Sequence, residues 1–156
     1  MRAPLLDVTG VTLSAVSGVQ SSGASLSPDA HWVAFTVGRP DGMAALYLAP
    51  AGQQLAPRDS WTQIAEDHNM ISRPVWSPDG HLIYYESTRD NHICLWAQRI
   101  GAAGQPTGAP ISAAHFHHSV ESLLGAGVPF GITRDTLYVL LAEVKGNVWM
   151  VKVGRP

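Results

Sequence analysis

The sequence predicts an all-β protein made of repeated small antiparallel sheets, and three observations lead to this prediction. Fifteen Gly and eleven Pro are spread along the 156 residues, so the chain turns often and has little room for long helices. A short motif recurs 50 residues further along the chain without a gap. Apolar runs of strand length follow each copy and are bounded by residues typical of turns. We therefore expect one repeat-built β domain over residues 1–156.

The composition and charge exclude several classes of protein. Hydrophobic residues make up 46 % of the chain and charged residues 14 %, a composition that excludes a disordered protein. The net charge of −2 produces no field that would attract nucleic acid, so we expect no nucleic-acid partner. The longest apolar stretch, 137–144, contains Glu143 and is far shorter than the ~18–20 residues of a membrane span. We therefore expect no membrane span.

The sequence leaves the cellular compartment open. The first residues include two adjacent leucines where an export signal needs a longer apolar run, so we expect no signal peptide. Cys94 is the only cysteine, which excludes an internal disulfide and fits either the periplasm or the cytoplasm. Its apolar neighbours predict a buried thiol.

The repeat consists of two gapless segments of equal length. Ser25 to Phe35 aligns with Val75 to Tyr85, so that Ser, Pro, Asp and His recur in register. The motif residues are Ser27, Pro28 and Asp29 in the first copy and Trp76, Ser77, Pro78, Asp79 and Gly80 in the second. Such matched segments indicate that one structural unit occurs at least twice.

The motif itself predicts a tight turn. Pro78 fixes φ at the second turn position, Asp79 suits the third position and Gly80 suits the fourth. A degenerate third copy at 131–139 keeps Asp135 and an apolar strand but lacks the Pro and the Gly. We expect the chain to reverse direction at all three places.

An aromatic residue inside a short apolar strand follows each copy. Tyr47, Trp96 and Trp149 come 18, 17 and 14 residues after the motif aspartates. Between motif and aromatic lie residues that tolerate the positive φ of a hairpin, namely Asp41-Gly42, Asp90-Asn91 and Gly146-Asn147. Each repeat therefore carries two turns and several strands.

Four antiparallel strands in about fifty residues make one blade of a β-propeller. We expect a partial propeller of about three such blades, at 24–66, 73–114 and 128–153, the last one incomplete, with an N-terminal strand and linker at 1–23. Closed rings use about four to eight blades, so three cannot close alone. Three alternatives stay open: a fragment of a longer protein, closure by self-association with a second copy, or an open or rearranged stack of sheets.

The Trp-Ser-Pro-Asp-Gly turn at 76–80, with the apolar and aromatic strands after it, resembles the TolB-type, WD40-like β-propeller repeat. The resemblance covers about 130 residues and is strongest in the second blade. It implies a non-catalytic scaffold that binds a protein or peptide partner within a larger bacterial sensory or periplasmic protein. Residues 146–150 resemble the last blade of propellers that follow kinase or winged-helix domains. The resemblance also implies an alternative, the substrate-gating propeller of a prolyl-oligopeptidase-like peptidase, whose catalytic triad lies in a separate domain.

The sequence contains none of the common catalytic or nucleotide-binding motifs. Gly-x-Ser-x-Gly, P-loop, EF-hand and Gly-x-Gly-x-x-Gly patterns are all absent from the 156 residues. We therefore expect no enzyme activity and no cofactor. Trp32, Trp76, Trp96 and Trp149 lie inside strand patterns and are interpreted as packing residues between blades.

Two patterns invite a chemical hypothesis. Strand alternation puts His115 and His117 of the run that ends at His118 on one face, within reach of one metal ion. Zinc needs three or four ligands, and the possible helpers are Asp67, His68, His92 and Glu121. A polar loop between blades is the favoured interpretation, with pH sensing as a further alternative.

The second pattern is one aspartate per repeat, at Asp29, Asp79 and Asp135. Carboxylates on successive blades can ring a channel and bind a cation or a basic peptide. An Asp in such a turn also accepts hydrogen bonds from nearby backbone N–H groups, which explains its recurrence without a ligand. We prefer the turn-capping interpretation.

Overall fold

The computed structural model describes residues 23–52, 56–68, 70–116, 121–123 and 130–143, and the fold is given for these residues. In this part of the chain the structure is all-β, with strands, turns and one short 3₁₀ segment at Arg58–Ser60, as the frequent Gly and Pro predict. A search of the same residues finds no helix with the length and apolarity needed to cross a membrane.

The first sheet contains four antiparallel strands in sequential order. They are β1 (Ala24–Leu26), β2 (Trp32–Gly38), β3 (Met43–Pro50) and β4 (Thr62–His68). The residues of β2 from 33 to 37 are all buried, so both faces of this strand are covered. An apolar run without alternation is typical of such a strand.

The second sheet repeats this arrangement. Its strands β5 (Ile71–Trp76), β6 (Leu82–Ser87), β7 (Cys94–Ile100) and β8 (Pro106–Ala114) are antiparallel and again in sequential order. The sequence prediction of four-stranded antiparallel sheets is confirmed for both units. The β7–β8 ladder shifts register twice, between Leu95 and Trp96 and between Ala97 and Arg99.

The remaining described strands form two short ladders. β10 (Gly131–Ile132) pairs with β11 (Leu137–Tyr138), and β9 (Glu121–Leu123) pairs with β12 (Leu141–Glu143). The pairing of β9 with β12 was not predicted, since the sequence pattern left 121–123 between blades. The Gly146-Asn147 turn, Trp149 and the predicted strand before residue 23 lie outside the described residues.

The two large sheets share one hydrophobic core. Its buried members come from both units and include Leu46 and Leu48 of β3, Trp76 of β5, and Ile83 and Tyr85 of β6. β5 packs against β1, β2 and β3 of the first sheet. The second sheet therefore lies against the first, with its first strand at the contact.

Tryptophans carry part of this contact. The indole N–H of Trp76 donates a hydrogen bond to the carbonyl oxygen of Ser25 in the first sheet, at 3.2 Å. The ring of Trp32 lies on the backbone of Gly104 in the β7–β8 turn, where a Cβ would come within 2.6 Å of it. Trp61 instead packs in an outer cluster of the first sheet, edge-on to Phe35 at 4.7 Å.

Candidate functional site

The second corner, residues 77–81, is closed by a small hydrogen-bond network. The hydroxyl of Ser77 donates to Asp79 Oδ1 at 2.5 Å and accepts from the backbone N–H of Leu82 at 2.9 Å. The backbone N–H of His81 donates to the same Asp79 oxygen at 3.1 Å. The side chains of Ser77 and Asp79 therefore both form hydrogen bonds within the turn.

The first corner, residues 27–31, has the same network. The hydroxyl of Ser27 donates to Asp29 Oδ1 at 2.5 Å, and the backbone N–H of His31 donates to that oxygen at 3.0 Å. The backbone N–H of Trp32 donates to Ser27 Oγ at 2.9 Å. These contacts agree with the turn-capping interpretation of the repeated aspartate.

These hydrogen bonds shift the acidity of both aspartates. The pKa of Asp29 and that of Asp79 lie below the ordinary value of 3.8, first because a serine hydroxyl donates to each and second because a backbone N–H does. Hydrogen bonds to the ionised form stabilise it. Asp135 is bound differently, since it accepts from the hydroxyl of its neighbour Thr136 at 3.0 Å.

A groove of about 720 Å³ lies between the second corner and the turn that joins β10 to β11. Its polar lining includes Asp79 on one side and Arg134 and Asp135 on the other. Its apolar lining includes Tyr84 of β6 and Ile111 of β8. The volume is within the range of ligand-binding clefts, and the groove carries charged side chains beside its apolar lining.

A second group of chemically active side chains lies at one end of the second sheet. Asp90 sits in the β6–β7 hairpin, Cys94 begins β7, and His115 follows the last residue of β8. His115 Nδ1 lies 3.1 Å from Asp90 Oδ2. One ligand atom from each of the three residues lies within 4.8 Å of the others.

The surroundings of this Asp-Cys-His cluster are partly buried. Cys94 has no exposed surface, and this burial raises the pKa of its thiol, while the backbone N–H of Phe116 donates to it and acts in the opposite direction. The ring of Trp96 meets the ring of His115 edge-on at 5.1 Å. The guanidinium of Arg89 lies over the Trp96 ring, 4.7 Å from its centroid.

Thiol, imidazole and carboxylate are also the nucleophile, base and orienting group of cysteine hydrolases. A nucleophile must meet its substrate, and Cys94 is fully enclosed. Its raised pKa also favours the unreactive thiol over the thiolate. The cluster is therefore poorly suited to nucleophilic catalysis.

Of the histidines in the sequence hypothesis of a metal site, the structure describes one beside these residues. His115 lies with Asp90 and Cys94, whereas His117 and His118 lie outside the described residues. The carboxylate of Asp67 is engaged elsewhere, because it accepts from Ser87 Oγ at 2.5 Å and from a backbone N–H at 2.9 Å.

Sequence reasoning did not group Asp90 and Cys94 with His115. Asp90 was assigned to a hairpin and Cys94 to the core, and both assignments describe their positions correctly. Only the pairing of Leu95 with Ala114 brings the start of β7 to the end of β8. Predicting the cluster from the sequence requires the pairing of β7 with β8 together with its two register shifts.

No family model matches the sequence, and no curated protein matches it. Within the residues that the structure describes, the fold is all-β and includes two sheets of four antiparallel strands.

Proposed function

We propose that the chain is part of a β-propeller with TolB-type repeats and serves as a non-catalytic scaffold that binds a protein or peptide. The observation that carries the proposal is the equivalence of the two corners. Both have the same hydrogen bonds, and Ser27 and Asp29 line one cavity of about 310 Å³ together with Asp79 and His81. Equivalent bends side by side in neighbouring sheets are typical of consecutive blades.

The packing of the first strands supports the same proposal. β5 lies against the first sheet, and β10, which begins the degenerate third motif and precedes its Asp135, lies against β5. The first strands of three successive units thus neighbour one another in chain order. Radial repetition around a common axis produces this succession.

The groove beside the second corner is the surface that we assign to the partner. It combines the carboxylates of Asp79 and Asp135 with the guanidinium of Arg134 and with apolar side chains such as Tyr84. Two negative charges against one positive charge favour a basic group in the ligand. The expected ligand is an extended peptide segment that carries a basic side chain next to apolar ones.

Peptide selection tests this assignment. A displayed library of random linear peptides is selected on the immobilised chain, and the enriched peptides are titrated against the purified protein by fluorescence anisotropy. We expect enrichment of peptides that combine basic and apolar residues. Reversing one charge with Asp135→Lys is expected to weaken their binding at least about tenfold, because the basic group then meets a like charge.

Asp59→Lys is the matched control, since Asp59 is exposed in the 3₁₀ segment and does not line the groove. It is expected to leave the affinity unchanged. If no peptide is enriched, or if both charge reversals weaken binding equally, the groove is not the binding surface and the proposed function loses its support.

A further inference from the structure

We propose that Asp90, Cys94 and His115 form a binding site for a divalent transition-metal ion, and that Zn²⁺ is the ion that suits it. The inference concerns a different part of the second sheet from the groove and does not depend on the scaffold function. It rests on the donor chemistry, the distances between the ligand atoms and the strands that hold them.

The donor set selects the class of ion. A thiolate and an imidazole bind borderline and soft ions, and a carboxylate completes many zinc sites. Mg²⁺ and Ca²⁺ prefer shells made of oxygen ligands. A site with one sulfur, one nitrogen and one oxygen donor therefore favours Zn²⁺ over these abundant ions.

The distances between the donors are close to those of a metal site. Metal–ligand bonds of ~2.0–2.3 Å in a tetrahedron put ligand atoms roughly 3.3–3.8 Å apart. His115 Nδ1 and Asp90 Oδ2 are already 3.1 Å apart, and the whole set lies within 4.8 Å. Side-chain rotations that close the set by roughly 1 Å bring the three protein ligands to these separations.

The backbone holds the three residues in a fixed frame. Asp90 lies in the turn of a hairpin in which Asn91 has a φ of 67°, and Cys94 is the first residue of the strand that leaves it. The β7–β8 ladder pairs Leu95 with Ala114, which brings His115 beside Cys94. A frame of this kind lowers the entropic cost of assembling the ligands.

Solvent can supply a fourth ligand. The side chains of Asp90 and His115 keep 24 % and 33 % of their surface exposed, whereas Cys94 is enclosed. Three protein ligands with one open position is an established arrangement for zinc. The backbone N–H of Phe116, which donates to the sulfur of Cys94, is the kind of outer hydrogen bond that stabilises a metal-bound thiolate.

Binding releases one proton, because the ion replaces the hydrogen of the Cys94 thiol and that proton passes to the buffer. No oxidation or reduction is involved.

Cobalt spectroscopy of the full chain tests the site. Co²⁺ is titrated into the reduced protein, and we expect a thiolate-to-cobalt charge-transfer band that saturates at one ion per chain and disappears when Zn²⁺ is added. Cys94 is the only cysteine, so the band identifies its sulfur as a ligand. Cys94→Ser is expected to abolish the band. His115→Gln and Asp90→Asn are each expected to weaken Zn²⁺ binding, measured by calorimetry, at least about tenfold.

Two controls separate this site from simpler sources of affinity. His81→Ala removes an exposed histidine of the second corner, and the double substitution His117→Ala with His118→Ala removes the rest of the histidine run. Both are expected to keep the band and the Zn²⁺ affinity.

Three results would overturn the proposal. They are the absence of a charge-transfer band in the wild-type chain, unchanged Zn²⁺ affinity in both His115→Gln and Asp90→Asn, or loss of binding in the His117→Ala/His118→Ala variant. Circular dichroism of the metal-free variants checks their folding. If Cys94→Ser does not fold, the Zn²⁺ affinities of Asp90→Asn and His115→Gln, at the two partly exposed ligands, decide the test. Failure here leaves the peptide-binding proposal intact, because its groove does not include the cluster.

Discussion

Asp79 shows how one side chain connects a turn to the pH dependence of the fold. Its Oδ1 accepts from the hydroxyl of Ser77 and from the backbone N–H of His81, and both bonds require an oxygen acceptor at this point of the corner. The carboxyl remains exposed, so water screens its charge and the bonds act locally. The stabilisation belongs to the ionised form, because the pKa of Asp79 is lowered first by the Ser77 hydroxyl.

We predict that Asp79→Asn reduces the acid sensitivity of the protein. The folded pKa of Asp79 lies below its ordinary value of 3.8, so the contribution of the carboxylate is complete above that pH and is lost as the pH falls through the folded pKa. Asn cannot titrate. Thermal unfolding of both proteins between about pH 6 and pH 3 is the measurement, and the fall in midpoint below about pH 4 is expected to be smaller for the variant. Asp59→Asn, at an exposed residue of the 3₁₀ segment, is the control that is expected to match the wild type.

At the scale of the element, the two corners have the same backbone conformation at residues 30 and 80 but carry different residues there. Gly80 has a φ of 74° and its counterpart Ala30 a φ of 60°, so both occupy the left-handed region. A Cβ costs about 1–2 kcal/mol there, and only Gly adopts the region freely. The first corner therefore carries a strain that the second corner avoids.

Reciprocal substitutions test this difference. Gly80→Ala is expected to destabilise the protein by about 1 kcal/mol, since its Cβ would meet only Pro28 Cδ at 3.8 Å, an ordinary contact, and the cost is conformational. Ala30→Gly is expected to stabilise it by about 0.5 kcal/mol, because relief of strain exceeds the added entropy of the unfolded chain. Urea unfolding measures both values. Effects of the same sign would contradict the argument.

The corners also show which strands can be predicted from the sequence and which cannot. Pro, Asp and the apolar runs after them specify the strands of both sheets, because turn chemistry and hydrophobicity act locally. The third motif has lost Pro and Gly, and the two-stranded β10–β11 ladder found there has no local signature that separates it from a full blade. The Asp90-Cys94-His115 cluster depends on a ladder with two register shifts, and strand register is decided by packing across the sheet rather than by the strand itself.

At the scale of the whole molecule, the contact between the two sheets determines whether they unfold as one unit. The shared core joins β3 of the first sheet to β5 and β6 of the second. At its edge the ring of Trp32 fills the space above Gly104, whose φ of 76° places it in a turn that favours glycine. The interface therefore depends on the absence of a side chain at Gly104.

We predict that Gly104→Ala weakens this contact between the sheets. Its Cβ would come within 2.6 Å of the Trp32 ring, and the ring is held by the core, so one of them must move. Gly108→Ala is the matched control, because Gly108 has a φ of 69° and nothing within 4 Å of its Cβ position. The excess destabilisation of Gly104→Ala over Gly108→Ala is expected to be about 1–3 kcal/mol, measured by urea unfolding.

The Trp32→Phe background completes the test, because phenylalanine lacks the outer indole ring whose atoms lie nearest to Gly104. In that background the excess is expected to shrink towards zero, and the difference between backgrounds is the coupling energy between residues 32 and 104, which lie in different sheets. An excess that persists with Phe at this position would mean that the cost arises within the β7–β8 turn. The contact between Trp32 and Gly104 would then contribute little to the coupling of the two sheets, which would depend on their shared core instead.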